Sequence, residues 1–289
     1  MPTHRPAPVA GLVLAVALAA VSGAALVALP RPASAARGLT VKGSDTMVIL
    51  AQRWAETYMR SHRGRIVQVT GGGSGTGIAA LINGTTDVCM ASRPMKEAEK
   101  NKLRERFQTR GVEIPVAKDG LAVYVNAANP VKQIDEAQLR DVYLGKVTTW
   151  KALGGPDEPI TLYGRENSSG TYVYFKDVIL GGRDFAARAQ TLPGTAAVVN
   201  AVARDAYGIG YGGAAYAKGV RDLALAAGPG KPAVLPTAAT VADGSYPLTR
   251  FLYFYVRNKP AGELKEFVDW VVSPEGQALA TQVGYFPLR

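Results

Sequence analysis

Three times in this chain a strand-like run leads into a short loop of glycine, serine and threonine, and each loop opens a helix-like run. The loops are Gly43-Ser44-Asp45-Thr46, Gly73-Ser74-Gly75-Thr76 and Ser168-Ser169-Gly170-Thr171. Strand, loop and helix in repeated order predict an α/β fold, because a helix returning the chain lets successive strands lie side by side. The position of the loops is as informative as their composition. In open α/β sheets ligands gather beyond the carboxyl ends of the strands, where these loops stand.

The remaining elements follow the same grammar. LTVKG, RIVQVT and DVCMAS read as strands, and MVILAQRWAETYMRSH and IAALING as helices, the first with SDT as its cap. EAEKNKLRERFQTRG is a charged helix that Gly111 is expected to end. VEIPVA and GLAVYVN are strands, followed by the helix IDEAQLRDVYLG and the strand PITLYGR. ENSSGTYVYFKDVIL is a loop running into a helix, and GIGYGG a short strand into a turn. AAGPGKPAVLPTAATVADGSYP reads as surface loop. RFLYFYVRN is an aromatic strand, and ELKEFVDWVVSPEGQALATQVG a helix pair or one broken helix. The sheet is expected to be largely parallel.

A helix N-terminus carries unpaired N–H groups and a partial positive charge, so it suits an anion. Glycine admits close backbone approach, and Ser and Thr hydroxyls add donors. Arg165, four residues before Ser169, is the charged member of the set, since a guanidinium can grip two oxygens at once. Taken singly, each loop also fits ordinary helix capping. Three of one composition point to a shared tetrahedral oxyanion.

Enzymatic readings fail on detail. GGGSGTG lacks the Lys-Ser/Thr of a nucleotide P-loop and does not itself fit G-x-G-x-x-G. None of Ser44, Ser74 or Ser169 lies in G-x-S-x-G. After residue 35 the chain holds one histidine, His62, and one cysteine, Cys89, too few for a zinc site or a well-founded triad. No catalytic residue, metal or cofactor is expected, and Cys89 reads as a small buried hydrophobe. The net charge of +10 favours anionic partners in general, but the basic residues are dispersed and do not mark a nucleic-acid surface.

Residues 1–35 stand apart. Residues 9–29 are an unbroken apolar and small-residue run, and Ala33 and Ala35 fit a cleavage site. A secretory signal removed after Ala35 is expected, with an uncleaved membrane anchor as the alternative. Secretion places the protein in a periplasmic or extracellular space.

In order along the chain come KGSDTM, GGGSGTGIAALINGTTDVCMASRPM, KDGLAVYVNAANPV, LRDVYLGKVTTWKALGG, GRENSSGTYVYF, GIGYGG and YPLTRFLYFYV. With these motifs the sequence resembles the extracytoplasmic phosphate-binding proteins of bacterial ABC importers. The resemblance implies a two-lobed periplasmic-binding-protein fold, each lobe a mixed sheet flanked by helices, with two hinge strands between them. Carried onto this chain, lobe one is 36–117 plus 249–289 and lobe two 118–248. The hinge crossings fall near Val116–Val123 and Leu248–Phe254.

The resemblance assigns Ser44, Thr46, the backbone at Met47, and Ser74 to the lobe-one half of a phosphate site. Arg165, Ser169, Gly170 and Thr171 form the other half. Many relatives carry an Asp after the third strand that accepts the proton of hydrogen phosphate and so excludes sulfate. Here Ser92 and Arg93 stand at that place, as in another branch of the family. Asp45 and Asp119 are left as candidate acceptors. The implied partners are inorganic phosphate and an ABC permease in the membrane, with no nucleic acid, and the protein is expected to be a monomer. The alternatives are a binder of sulfate, tungstate or molybdate, and a membrane-anchored phosphate sensor.

Overall fold

Alternating strands and amphipathic helices form close to where the sequence puts them in the computed structural model, which describes residues 38–288. The signal segment expected at 1–35 lies outside the described residues. Among the described residues no helix is long and apolar enough to cross a membrane.

The first third runs β1 (Leu39–Gly43), α1 (Val48–Ser61), β2 (Val67–Thr70), α2 (Ser74–Asn83), β3 (Val88–Ala91) and α3 (Glu97–Phe107). The middle holds β4 (Val112–Asn126), β5 (Gln133–Asp135), α4 (Glu136–Tyr143), β6 (Thr161–Arg165), α5 (Gly170–Val178), β7 (Gln190–Leu192), α6 (Gly194–Arg204) and β8 (Gly208–Gly213). Then come β9 (Val220–Asp222), β10 (Ala224–Ala226), β11 (Ala233–Val234), α7 (Ala238–Ala242), β12 (Thr249–Val256), α8 (Gly262–Val272) and α9 (Pro274–Val283).

The principal sheet has the order β2-β1-β3-β12-β4-β8-β6-β7, with β9 added to β4, and β11-β10-β5 form a small second sheet. β1 lies parallel to β2 and β3, and β6 parallel to β7 and β8. Between these parallel groups, β12 is antiparallel to β3 and β4, and β4 to β8. The sheet is therefore mixed rather than largely parallel: β12 enters from the far end of the sequence and runs against both neighbours.

Two hydrophobic cores lie on this frame, giving a two-lobed α/β architecture. One packs Trp54, Tyr58 and Leu50 of α1 against Phe254, Phe267 and Val271. The other packs Leu139, Val142 and Tyr143 of α4 against Phe175, Tyr211 and Leu225. β4 is one 15-residue strand serving both. Its residues Val112–Gly120 pair with β12, and Leu121–Val125 pair with β8. Val116 and Ala117 belong to the first core, and Leu121 and Val123 to the second.

Local readings are corrected in three places. α3 ends at Gln108, which takes the left-handed conformation (φ 59°) and returns its N–H to Arg104 O, before Gly111 is reached. The stretch read as loop contains β11 and also α7, where Thr237 and Thr240 close a capping box around a short helix. Ser44 does not cap α1: a 3-10 turn, Asp45–Met47, intervenes, and the Ser44 hydroxyl turns elsewhere.

Candidate functional site

The carboxyl ends of β1, β2, β3 and β6 converge, and hydroxyls from both sides of the frame meet there. Ser44 follows β1, Ser92 follows β3, and Ser74 begins α2. Ser44 Oγ donates to Ser92 Oγ at 3.0 Å, and Ser92 Oγ lies 3.4 Å from Ser74 Oγ. Ser74 Oγ in turn accepts from the Ser92 N–H at 3.0 Å. Across the cleft, Thr46 Oγ1 and Thr171 Oγ1 are 2.8 Å apart. All five residues are buried. Hydroxyls out of water are stable only if paired, and here they pair chiefly with one another.

Glycines permit this contact. A Cβ on Gly170 would stand 2.3 Å from Ser74 Oγ and 2.7 Å from Ser92 Oγ, so only glycine lets the first turn of α5 abut these serines. Gly73 (φ +91°) brings the glycine loop against Ser168, whose carbonyl accepts from the Gly75 N–H at 2.8 Å. The second and third loops are thus joined backbone to backbone.

Two arginines serve this region. Arg250, on β12, is the cross-strand partner of Asp119 on β4. Its Nε and Nη2 both donate to Asp119 Oδ2, at 3.1 and 2.8 Å. Nη2 also reaches Thr171 Oγ1 at 3.0 Å, and Nη1 reaches the Ser92 carbonyl at 3.2 Å. The guanidinium lies over the Tyr174 ring, 5.2 Å from its centroid. Burial pushes the Asp119 carboxyl above the usual carboxylate range, with the Arg250 charge pulling against it. Oδ1 accepts from none of the described residues and faces Gly213, whose added Cβ would lie 2.9 Å from it and 3.1 Å from Thr46 Cγ2.

Arg165, at the end of β6, is spent differently. Its Nη2 donates to Asp45 Oδ2 at 2.8 Å and Glu166 Oε1 at 2.9 Å, Nε to Glu166 Oε2 at 3.1 Å, and Nη1 to Thr195 Oγ1 at 2.8 Å. Burial works to raise the Glu166 carboxyl, but the Arg165 hydrogen bonds and charge hold it below the usual range. Asp45 Oδ1 meanwhile accepts from the Gly72 N–H at 2.7 Å, so both Asp45 oxygens are engaged.

Of the residues singled out in the sequence, Ser44, Thr46, Ser74, Ser92, Asp119, Gly170 and Thr171 come together. Ser169 stands at the edge in another role: its Oγ caps α5, accepting from the Thr171 and Tyr172 N–H groups at 3.2 Å. Met47 is core by its side chain, and its N–H donates to the Ser44 carbonyl. Asp45 and Arg165 form a bridge beside the cluster. Arg93 points away, gripping Glu99 with two hydrogen bonds of 2.8 and 2.7 Å. Arg250 was missed by sequence reasoning. The available signal was a lone cation in the aromatic run TRFLYFYV, opposite the lone acid of KDG. Among the described residues no group of His, Cys, Asp and Glu could hold a metal ion. The lone cysteine, Cys89, is buried in β3.

Comparison with known proteins gives a consistent result. The family model PBP_like_2, described as a PBP superfamily domain, matches residues 30–275. The phosphate-binding protein PstS of Pseudomonas aeruginosa is 35% identical over 296 residues, covering 96% of this chain and 91% of that relative. A crystal structure from Clostridium perfringens, assigned as a phosphate ABC transporter substrate-binding protein and holding phosphate, superposes with a TM-score of 0.80. It has 26% identity and covers 87% of this chain and 100% of that one. An ABC-type phosphate transport receptor from Vibrio cholerae gives a TM-score of 0.69 at 29% identity, over 86% of this chain and 99% of the other.

Proposed function

The chain belongs to the family of phosphate-binding proteins PstS, and on that premise we propose that it captures inorganic phosphate outside the cytoplasmic membrane and delivers it to an ABC permease. It is a binding protein of a transport system and not an enzyme. It acts as a monomer, with the apolar run 9–29 as its export signal.

The observation that carries this reading is the buried cluster of Ser44, Thr46, Ser74, Ser92 and Thr171 hydroxyls beside the Arg250–Asp119 pair. Anion recognition without a metal needs neutral donors on several sides and a cation close by. A dianion leaving water must have each oxygen satisfied. A hydrogen bond to a charged group contributes about 1.5–3 kcal/mol net, and micromolar binding requires about 8 kcal/mol. Six to ten such bonds, of order, therefore suffice after the cost of closure. The donors are Ser44, Thr46, Ser74, Ser92 and Thr171, with the Gly170 amide at the start of α5. Arg165 and Ser169 support the loop that carries them.

Asp119 is the proton acceptor in this reading. Asp45 has both oxygens engaged, whereas Asp119 keeps Oδ1 clear on the cluster side. Hydrogen phosphate can donate to that oxygen, and sulfate at neutral pH has no proton to give.

Closure follows from the lobes. With lobe one as 36–117 plus 249–289 and lobe two as 118–248, β4 and β12 are the hinge strands. The cores change over on β4 between Ala117 and Leu121, and at the entry to β12 between Leu248 and Leu252. Bending there parts Thr46 from Thr171 and opens the cluster to solvent.

The test is calorimetric titration of the purified protein, stripped of anion, with phosphate and then sulfate at pH 7. Micromolar or tighter phosphate binding with no response to sulfate is expected. Equal binding of both would remove the acceptor from the account, and binding of neither would remove the function.

A further inference from the structure

A carboxyl can read the proton on phosphate only while its own proton is absent. Asp119 is buried, and burial by itself drives a carboxyl toward the protonated form. A protonated Asp119 would donate to an anion instead of accepting from it, and sulfate would be received as readily as phosphate. Something must keep this carboxyl ionised, and the groups around it narrow the choice.

Tyr124 on the same strand, Tyr174 of α5, Tyr216, Tyr246 and Tyr285 all sense the Asp119 charge. Every one is a phenol held above its ordinary pKa, hence neutral at pH 7. Among the described residues Arg250 is the only cation acting on Asp119. It is set opposite Asp119 by the register of β4 and β12. Its two N–H bonds fall on the same oxygen, Oδ2, which leaves Oδ1 as the reading atom. The guanidinium is itself fixed by the Ser92 carbonyl, by Thr171 Oγ1 and by the Tyr174 ring. Thr171 and Tyr174 belong to α5, across the cleft from β12.

Resting on the phosphate-binding reading above, we infer that Arg250 is the positioning residue that makes Asp119 a proton acceptor, and that its hold is completed by α5 when the cleft is shut. Specificity and closure are then joined through one side chain. An open cleft leaves Arg250 with Asp119 but without its α5 contacts. A closed cleft locks the fork and commits Oδ1 to the ligand.

The experiment compares the purified full chain with Arg250→Gln and Arg250→Lys, measuring phosphate and sulfate binding by calorimetry from pH 5 to 9, with thermal melting alongside. In the wild type, phosphate affinity falls as pH drops through the raised Asp119 pKa. In Arg250→Gln that fall sets in at least about one pH unit higher, because removing an adjacent opposite charge shifts a buried carboxyl by this order. Its preference for phosphate over sulfate at pH 7 shrinks at least about tenfold. Arg250→Lys restores the charge but not the fork, so its pH profile returns to that of the wild type while affinity stays at least about fivefold weaker. If Arg250→Gln does not fold, the lysine variant decides, since a displaced profile there contradicts the inference. A folded Arg250→Gln with wild-type profile and wild-type preference, only weaker, makes Arg250 a structural support and overturns it. A folded variant that binds neither anion also overturns it, since no protonation state of Asp119 then matters. If the wild type itself binds no phosphate, the functional reading has failed, a result distinct from all of these.

Discussion

Arg250–Asp119 and Arg165–Asp45 are both arginine–aspartate pairs at 2.8 Å, yet they differ in what they connect. The first joins neighbouring strands, both side chains buried, with its register fixed by the β4–β12 ladder. Because both residues lie on the proposed hinge strands, that reading keeps the pair together whether the cleft is open or shut. The second joins the end of β6 to the turn after β1, with Asp45 18% exposed. Under the proposed hinge it forms only on closing. Breaking a fully buried pair costs about 3–5 kcal/mol, whereas pairs that reach solvent contribute far less. Under the proposed function one pair is therefore part of the reading apparatus and the other a fastening across the gap.

The largest effect is expected from Asp119→Asn, which keeps the shape and removes the acceptor. Phosphate should weaken about 100-fold or more, the scale for losing one partner of a buried, hydrogen-bonded charge pair. Sulfate binding should appear in the same titration. If phosphate selectivity survives, the acceptor lies elsewhere and the contrast between the pairs collapses.

Next is Gly170→Ala. Its new Cβ would stand 2.3 Å from Ser74 Oγ, so closure should be obstructed and affinity should fall at least about tenfold while the melting temperature holds. Small-angle scattering with saturating phosphate should find this variant more extended than the wild type.

Arg165→Ala should weaken phosphate by about tenfold, mainly through faster release, because it unfastens the closed state rather than the ligand. Asp45→Ala should do much the same, and the double variant should be less than additive. A coupling near zero would show that the pair carries no closing energy. The smallest effect belongs to Ser169→Ala. Loss of an N-cap should lower stability by about 1 kcal/mol in denaturant melts and leave affinity within about threefold.

The hydroxyl loops were legible because their chemistry is local: glycine next to serine at a helix start names both the turn and the donor. The longer strands and most helices were legible by period, whereas the short strands β5, β7, β9, β10 and β11 and the helix α6 were not read. Arg250 was not, because its meaning depends on Asp119, 131 residues away, and only the antiparallel register brings them opposite. The division of labour between Ser74 and Ser169 was equally hidden. Both sit at a helix start, and only the neighbouring chain decides that one hydroxyl turns to Ser92 and the other to its own backbone. β4 is a similar case: its turn-like Lys118-Asp119-Gly120 centre stays extended because β12 pairs straight through it.

The two cores also differ in when they can be built. The second is drawn from Leu121 to Leu248, an unbroken stretch of chain. The first needs α1 and β1 from one end together with Phe254, Phe267, Trp270 and Tyr285 from the other. As the polypeptide emerges, the half nearest its beginning must wait, its apolar faces uncovered, until β12, α8 and α9 arrive to cover them. Contacts that span so much sequence form late and slowly. The N-terminal half is thus the last part completed, and its apolar faces stay open to aggregation and proteolysis until β12, α8 and α9 have docked.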